Sequence, residues 1–397
     1  MGKGHHDRKV KMQRIVNRDE ALERLRWRYA QRGKEGKSVL LNEFCEQHGF
    51  ERKYAIKLLG SKKPQAARKP RGPLPRYEPI EEVLGRIWGA AEQLCGKRLV
   101  QAIPLWLPHY QKHYGKLLPA QQKLLKEISA ATVDRMLADR KVRGLQGLCG
   151  TRPGTLLRQH VPIQGEVWNE QRVGFMEADS VAHCGGSLAG NFIWSLTYTD
   201  LASAWTEGRA TWNKGSTGVL EQTRDVELNL PFPILGFDFD NGSEWLNWTL
   251  IKYLQVRTQP IGVSRSRPYH KDDNAHVEQK NWMWPRQLLG YDRLDAEAML
   301  DPINIIYKEY WGPLQNFYLP SMKLISKTRV GSKWVRKHDK AQTAYQRLLA
   351  INALGARQKN RLRDQYEALD PFELVKGLEV QLEKVMKEKS KTGKLRA

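Results

Sequence analysis

Cysteine is scarce in this chain of 397 residues: Cys45, Cys95, Cys149 and Cys184 are its only four, and none forms a C-x-x-C pair. That excludes a disulfide framework or a zinc knuckle as the organising device and points to reduced, mostly buried thiols. Long apolar runs are missing too. No stretch approaches the roughly 18 residues of a membrane span, and residues 1–18 are basic and polar rather than leader-like, so the expectation is a soluble, cytoplasmic chain with no membrane partner. Acid is in short supply, with 43 Asp+Glu against 66 Lys+Arg and a net charge of +23. Aromatics are not: 13 Trp argue against a disordered chain. The length suits about two to three domains.

The nearest approach to a metal-ligand pattern is His109 and His113, one helical turn apart, which could take zinc with Cys95 or Cys149. Without a closing C-x-x-C the plainer reading is two histidines on a helix surface.

The charge is unevenly spread. Residues 1–160 hold 34 Lys+Arg against 15 Asp+Glu, residues 161–310 hold 13 against 20, and residues 311–397 hold 19 against 8. Two basic arms, net +19 and +11, flank a centre of −7. The ends therefore suit a polyanion, nucleic acid before any membrane surface, while the centre uses carboxylates for something else.

In the first arm, residues 1–62, Val39, Leu40, Phe44 and Cys45 have helical spacing, Gly49 breaks the pattern, and Tyr54, Ala55, Leu58 and Leu59 resume it. This predicts a helix-turn-helix whose second helix offers Arg52, Lys53 and Lys57 to DNA, with an ordinary helical hairpin as the plain alternative. Residues 63–78 follow as a basic, Pro-rich linker whose Lys69 and Arg71 could lie along phosphates. Residues 79–160 read as a second helical DNA-binding domain. Its last helix has Ser129 as N-cap, an apolar stripe of Val133, Met136 and Leu137, and the cations Arg135 and Arg140. A structural spacer is the alternative there.

From Gly174 the texture turns to short β-branched and aromatic runs, VGFMEADSVAH, NFIWSLTYTD and AWTEGRATW. Helical patterns cover Ser216 to Leu230 and Glu244 to Val256, with PILGFDFDNG between them and IGVSRSR after. Hairpin strands followed by alternating helices and strands predict a mixed α/β sheet covered on its faces, over residues 165–312. Asp179 falls in the first strand and Asp240 at the end of the fourth, where such sheets place their sites. Glu278 falls in a helical run, RPYHKDDNAHVEQKNW, with Asn274 and Asn281 on the same face.

These motifs resemble the DDE integrases and transposases with a ribonuclease-H-like core, bacterial insertion-sequence transposases among them. The resemblance rests on Asp179 in E-A-D, Asp240 in D-N-G-S-E and Glu278 in H-V-E-Q-K-N, over roughly residues 165–300. It extends weakly through NFYLPSMKLISKTRVGSKWVRKHDKAQTAYQRLL. Trp245 stands where Phe is usual and Phe239 where a small residue is common. The resemblance implies a ribonuclease-H-like fold and strand cleavage and transfer at two Mg²⁺ (or Mn²⁺) ions held by Asp179, Asp240 and Glu278. It also implies DNA partners, a homo-oligomer on DNA, and no organic cofactor; a nucleoid-associated location goes with it. The residue types suit that chemistry, because hard cations prefer oxygen ligands and two of them can stabilise both the attacking and the leaving oxygen.

Asp238, Glu244, Asp272 and Asp273 are the competing acids, Asp238 foremost because it shares a strand face with Asp240. Asp200 is expected to cap a hairpin turn and Glu177 to lie on the strand flank. His183 and His276 are expected at the surface or behind the site. Arg265, Arg267, Lys271 and Lys280 border the acids and could grip phosphates. In the last arm, residues 313–345 read as a DNA-contacting extension rather than a core. Asp370 and Pro371 start a terminal helix whose Leu374, Leu378, Leu382 and Val385 need a partner, their own domain or a second copy. The leading expectation is a transposase. Its rivals are a DNA-binding regulator with an idle nuclease site and a ribonuclease-H-type nuclease.

Overall fold

The computed structural model describes residues 25–48, 51–60, 76–140, 172–239, 242, 244–265, 285–330, 333–352 and 354–395. The chain divides into two compact units, Met1–Arg76 and Tyr77–Ala397.

In the first unit, helix α1 (Lys34–His48) and helix α2 (Arg52–Gly60) enclose a small core of Leu41, Phe44, Ala55 and Leu59, with Leu25, Tyr29 and Cys45 packed against it. Two helices joined by a short break match the sequence pattern. Val39 and Tyr54, counted there as apolar stripe, are exposed instead.

The second unit is built on a five-stranded sheet ordered β3-β2-β1-β4-β5. Strands β1 (Phe175–Ala182), β2 (Ile193–Asp200) and β3 (Thr206–Trp212) form an antiparallel meander; β4 (Gly236–Phe239) and β5 (Gly262–Arg265) add to β1 in parallel. The parallel strands are reached through helices α3 and α4, which are Ser216–Asn229 and Trp248–Gln255. This is the mixed α/β sheet that the sequence predicts. Asp200 caps the β2–β3 turn as expected: it accepts from the Gly174 and Ser203 N–H groups, both at 2.7 Å, and from Ser203 Oγ at 2.6 Å.

Alternation along the strands gives the sheet two covered faces. On one, Tyr198 bonds Thr223 of α3 at 3.0 Å, and Arg209 bonds Asp225 of the same helix at 2.6 Å. The other lies under the segment 300–318, where helix α5 (Leu300–Ile305) runs into two π-helical turns, Ile306–Trp311 and Leu314–Tyr318. Two asparagines from this segment close the edge strand. Asn304 accepts from the Ala210 N–H at 2.8 Å and donates to its carbonyl at 3.0 Å, and Asn316 does the same to Thr206 at 2.9 and 2.8 Å. Each amide side chain thus supplies the two bonds that a neighbouring strand would have made, which protects an otherwise open edge.

The sequence reading sets 79–160 and 313–397 apart from the catalytic core, but apolar residues of both join one hydrophobic core with the sheet. In helix Gly96–Tyr114, Leu99, Ala102, Ile103 and Trp106 are buried, and Trp106 donates its indole N–H to Tyr318 O at 3.0 Å and meets Phe372 edge-on at 5.2 Å. The expected reader helix Ala130–Met136 has its Ser129 cap, which accepts from the Thr132 N–H at 3.2 Å, and buries Val133. Residues 314–319, which the sequence reading assigns to the extension, are buried, as are Ala344 and Leu348.

The terminal helix α6 (Pro371–Leu395) turns Leu374, Leu378 and Val385 into this core and brings Gly377 so close to Tyr310 that a Cβ there would lie 2.0 Å from the ring. Its apolar stripe is therefore satisfied within its own unit. His109 and His113 both turn to the start of that helix, reaching Asp370 at 3.4 and 3.0 Å beside Lys112 at 3.3 Å. Burial alone would raise the Asp370 pKa, but the His113 hydrogen bond, Lys112 and His109 hold it below the ordinary value. Among the described residues no three His, Cys, Asp or Glu side chains form a group able to hold a metal ion, and no helix is long and apolar enough to cross a membrane.

Beyond Pro320 the chain leaves the core as a two-stranded ribbon, β6 (Leu324–Val330) and β7 (Lys333–His338).

Candidate active site

Strand β1 carries Glu177 and Asp179 two residues apart, on one face. In the ladder Thr199 and Thr197 lie opposite them on β2, Asp238 of β4 lies beside Glu177, and Ser264 of β5 lies beside Asp238. A polar row thus crosses four strands inside the molecule. Buried polar groups must be bonded to be tolerated. Ser264 donates to Asp238 at 2.6 Å, and Thr199 shares a 3.2 Å bond with Thr206. Glu177, placed on the strand flank by sequence, is in fact buried mid-sheet. Among the described acids of this face, Asp179 keeps part of its surface in water, and it accepts the Ser180 N–H at 2.7 Å.

The register places β4 usefully. Phe239 pairs with Ala178, so the residues immediately before Asp240 and before Asp179 are ladder neighbours. The loop after β4 is latched back to β1: Ser180 Oγ donates to Glu244 Oε1 at 2.5 Å, and Asn247 both donates to Glu244 O at 2.7 Å and caps α4 through the Leu250 N–H at 2.8 Å. Glu244 is buried in this latch, a structural position for a competing acid.

The two departures from the family pattern meet each other. Phe239 stacks on Phe237 at 4.9 Å and on Trp245 at 5.6 Å, with the latter planes 12° apart, and Trp245 also meets Tyr198 edge-on at 5.5 Å. All four rings are fully buried. A large residue before Asp240 is thus matched by a large one five residues after it. The aromatic excess shared by positions 239 and 245 is the sequence signal of this packing.

Of the two places expected for His183, the surface and the layer behind the site, the structure shows the buried one. Its Nε2 lies 2.8 Å from Ser195 Oγ, which lies 2.7 Å from the Tyr307 hydroxyl, while its Nδ1 has no partner. Burial, with a smaller contribution from Arg286, pushes the imidazole down to about 3, so it is neutral at ordinary pH. Arg286, a cation that sequence reading passed over, donates to Ala182 O at 3.2 Å at the end of β1.

Asp240 and Glu278 lie outside the described residues, as do Lys69, Arg71, Arg267, Lys271, Asp272, Asp273, His276 and Lys280. Arg265 ends β5 opposite Phe239, with its side chain outside the described set. Lys53 and Lys57 are exposed on α2, whereas Arg52 is turned back to α1, where it bonds Asn42 and, at 2.7 Å, Ser38. Arg135 is exposed and bonds Thr132 at 3.3 Å; Arg140 is paired with Glu81 at 2.7 Å. As a fit test for the implied metal, Asp179 supplies a hard oxygen donor with solvent access, which suits Mg²⁺ or Mn²⁺ better than a softer ion.

No model of a known protein family matches the chain. Over 339 residues it is 36% identical to the uncharacterized protein y4rM of Sinorhizobium fredii (strain NBRC 101917 / NGR234), an alignment covering 82% of this chain and 93% of that protein. The chain belongs to the y4rM family. Among solved structures, the catalytic core domain of BIV integrase aligns with 45% of the chain and 94% of that core, at 15% identity and a TM-score of 0.27. So slight an overlap establishes no common fold, and the y4rM relationship carries no named activity, so the chemistry of this family member has to be argued from its own residues.

Proposed function

We propose that this chain is a DNA transposase of the DDE type: it binds element ends, cleaves a strand, and directs the new 3′-hydroxyl onto target DNA. The observation that carries the reading is the pairing of Ala178 with Phe239, which brings the residue before Asp179 alongside the residue before Asp240. Asp179, Asp240 and Glu278 would hold two Mg²⁺ or Mn²⁺ ions, which when bound supply the charge that stabilises an in-line displacement at phosphorus. The chain's own contribution is positional. The latch from Ser180 to Glu244 and the Phe239–Trp245 stack hold residues 244–245 against the sheet. The exposed cations Lys53, Lys57 and Arg135 hold DNA, and Arg265, Arg267, Lys271 and Lys280 grip phosphates near the acids; Lys69 and Arg71 follow the backbone. Joining two ends calls for a homo-oligomer on DNA.

The test uses the full chain, Mg²⁺ and a supercoiled plasmid carrying the DNA that flanks its gene. Strand nicking and joining are expected for the wild type and absent, with end binding retained, in Asp179→Ala, Asp240→Ala and Glu278→Ala. Activity kept in all three variants sinks the assignment, and a wild type that binds but never nicks is a regulator instead.

A further inference from the structure

Among the described residues of the second unit, the β6–β7 ribbon stands out by its exposure. Every described side chain from Leu324 to His338 is exposed, including four large apolar ones, Leu324 at 43%, Ile325 at 61%, Val330 at 65% and Val335 at 51%. The ribbon contains Lys327, Arg329, Lys333, Arg336 and Lys337, and from residue 310 to residue 338 there is no Asp or Glu. An isolated two-stranded ribbon is at best marginally stable in water, and an exposed apolar strand invites aggregation. Yet its base is firmly built. Lys323 and Asp339 close it with bonds of 2.6 and 2.9 Å. The buried Arg347 grips Asp339 at 2.9 Å and the Ser321 carbonyl at 2.7 Å, and Lys323 Nζ is anchored to the Leu201 and Ala202 carbonyls at 2.7 and 2.9 Å. A rigid root under two uncovered faces describes an arm held out for something.

Dimensions and charge select the occupant. Two strands about 4.8 Å apart, with side chains on both faces, fit the DNA major groove, about 12 Å wide and 8.5 Å deep, and are too broad for the minor groove of about 6 Å. Seven residues at about 3.3 Å each reach about 23 Å, roughly two thirds of a helical turn. The composition follows the same logic. Lys327 and Arg336 are opposite one another in the ladder, as are Arg329 and Trp334, and Thr328 lies opposite Val335. Arginine reads guanine edges, and Thr and Val contact thymine methyls, which accounts for the exposed apolar side chains of the ribbon.

We infer that the β6–β7 ribbon inserts into the major groove of duplex DNA; the inference rests on the DNA-binding reading above and adds to it a reading element separate from the helical arm.

The experiment compares two 30-base-pair duplexes of one mixed sequence, one plain and one whose cytosines are glucosylated 5-hydroxymethylcytosine, which fills the major groove. The full-length wild type is expected to bind the plain duplex at least about tenfold more tightly. Arg329→Ala/Arg336→Ala/Lys337→Ala is expected to weaken plain-duplex binding by about tenfold or more, to lower the salt slope by up to about three, and to narrow the preference for the plain probe. Replacing the same three residues by Lys, where Lys337 already is one, keeps the charge and should restore the salt slope. An unaltered thermal melt shows that the fold is intact, as expected for exposed positions. Unchanged affinity and probe preference in the triple-alanine variant overturns the inference while leaving the DNA reading standing. Loss of self-association with unchanged DNA binding makes the ribbon a protein interface and also overturns it. A wild type that binds neither duplex removes both readings.

Discussion

Strands β2 and β6 are both paired antiparallel, yet all eight residues of β2 are buried while every described side chain of β6 is exposed. The sheet around β2 gathers acids and hydroxyls inward and bonds them to one another; the ribbon carries exposed cations on two strands anchored at their root. The same ladder therefore serves opposite ends. In the first, packing on both faces fixes the position of a half-buried carboxylate. In the second, the absence of packing leaves a surface for another molecule. The uneven charge along the sequence is the trace of this division.

Substitutions should separate the two regions by scale. The largest effect is expected for Trp245→Ala, which empties a buried site against Phe239 and Tyr198 and should cost about 3–5 kcal/mol in denaturant unfolding. Trp245→Phe should be far milder, because the indole N–H it removes has no partner. Next comes Asn316→Leu, which strands the Thr206 N–H and carbonyl and should cost about 1–3 kcal/mol; no loss in the unfolding midpoint would mean that the edge strand is satisfied in another way.

Smaller per step is the pH effect of His183. Its folded pKa of about 3 lies below the ordinary 6.5, so the unfolded chain binds this proton first. The stability it contributes is complete above about pH 6.5 and falls by about 1.4 kcal/mol per unit as pH drops towards 3. His183→Gln should flatten the wild-type slope between pH 6.5 and 5, and identical slopes would place a charged imidazole in the core. Smallest of all, Arg336→Ala on the exposed ribbon should move stability by less than about 0.5 kcal/mol, so a large loss there would erase the contrast between the two ladders.

Much of the sheet was readable because its signals are local. Alternation and β-branched runs located β1, β2 and β3, and helix α3 begins at Ser216 as expected. Helix α4 starts at Trp248 rather than Glu244 because Asn247 is its cap and Glu244 is held by Ser180. What stayed hidden depends on distant partners. From sequence His183 reads only as a residue at the surface or behind the site, because Ser195 and Tyr307, which enclose it, are 12 and 124 residues away. The core role of residues 314–319 is masked by the cations that follow them, although Leu314, Phe317, Tyr318 and Leu319 carry the apolar signal. In the candidate site, the acids stood out by motif, but the buried state of Asp238 and Glu244 needed Ser264 and Ser180, whose hydroxyls carry no pattern of their own.

The two asparagines that close β3 also set a schedule. Asn304 lies 94 residues after Ala210, and Asn316 lies 110 after Thr206. At a synthesis rate of about 5–20 residues per second, β3 leaves the ribosome with an unfinished edge for roughly 5–20 seconds. During that interval neighbouring nascent chains on one message can pair through it. Fragments ending before Asn304 keep that edge permanently, so messages broken between codons 212 and 304 should yield aggregating products, whereas those broken after 316 can complete the sheet.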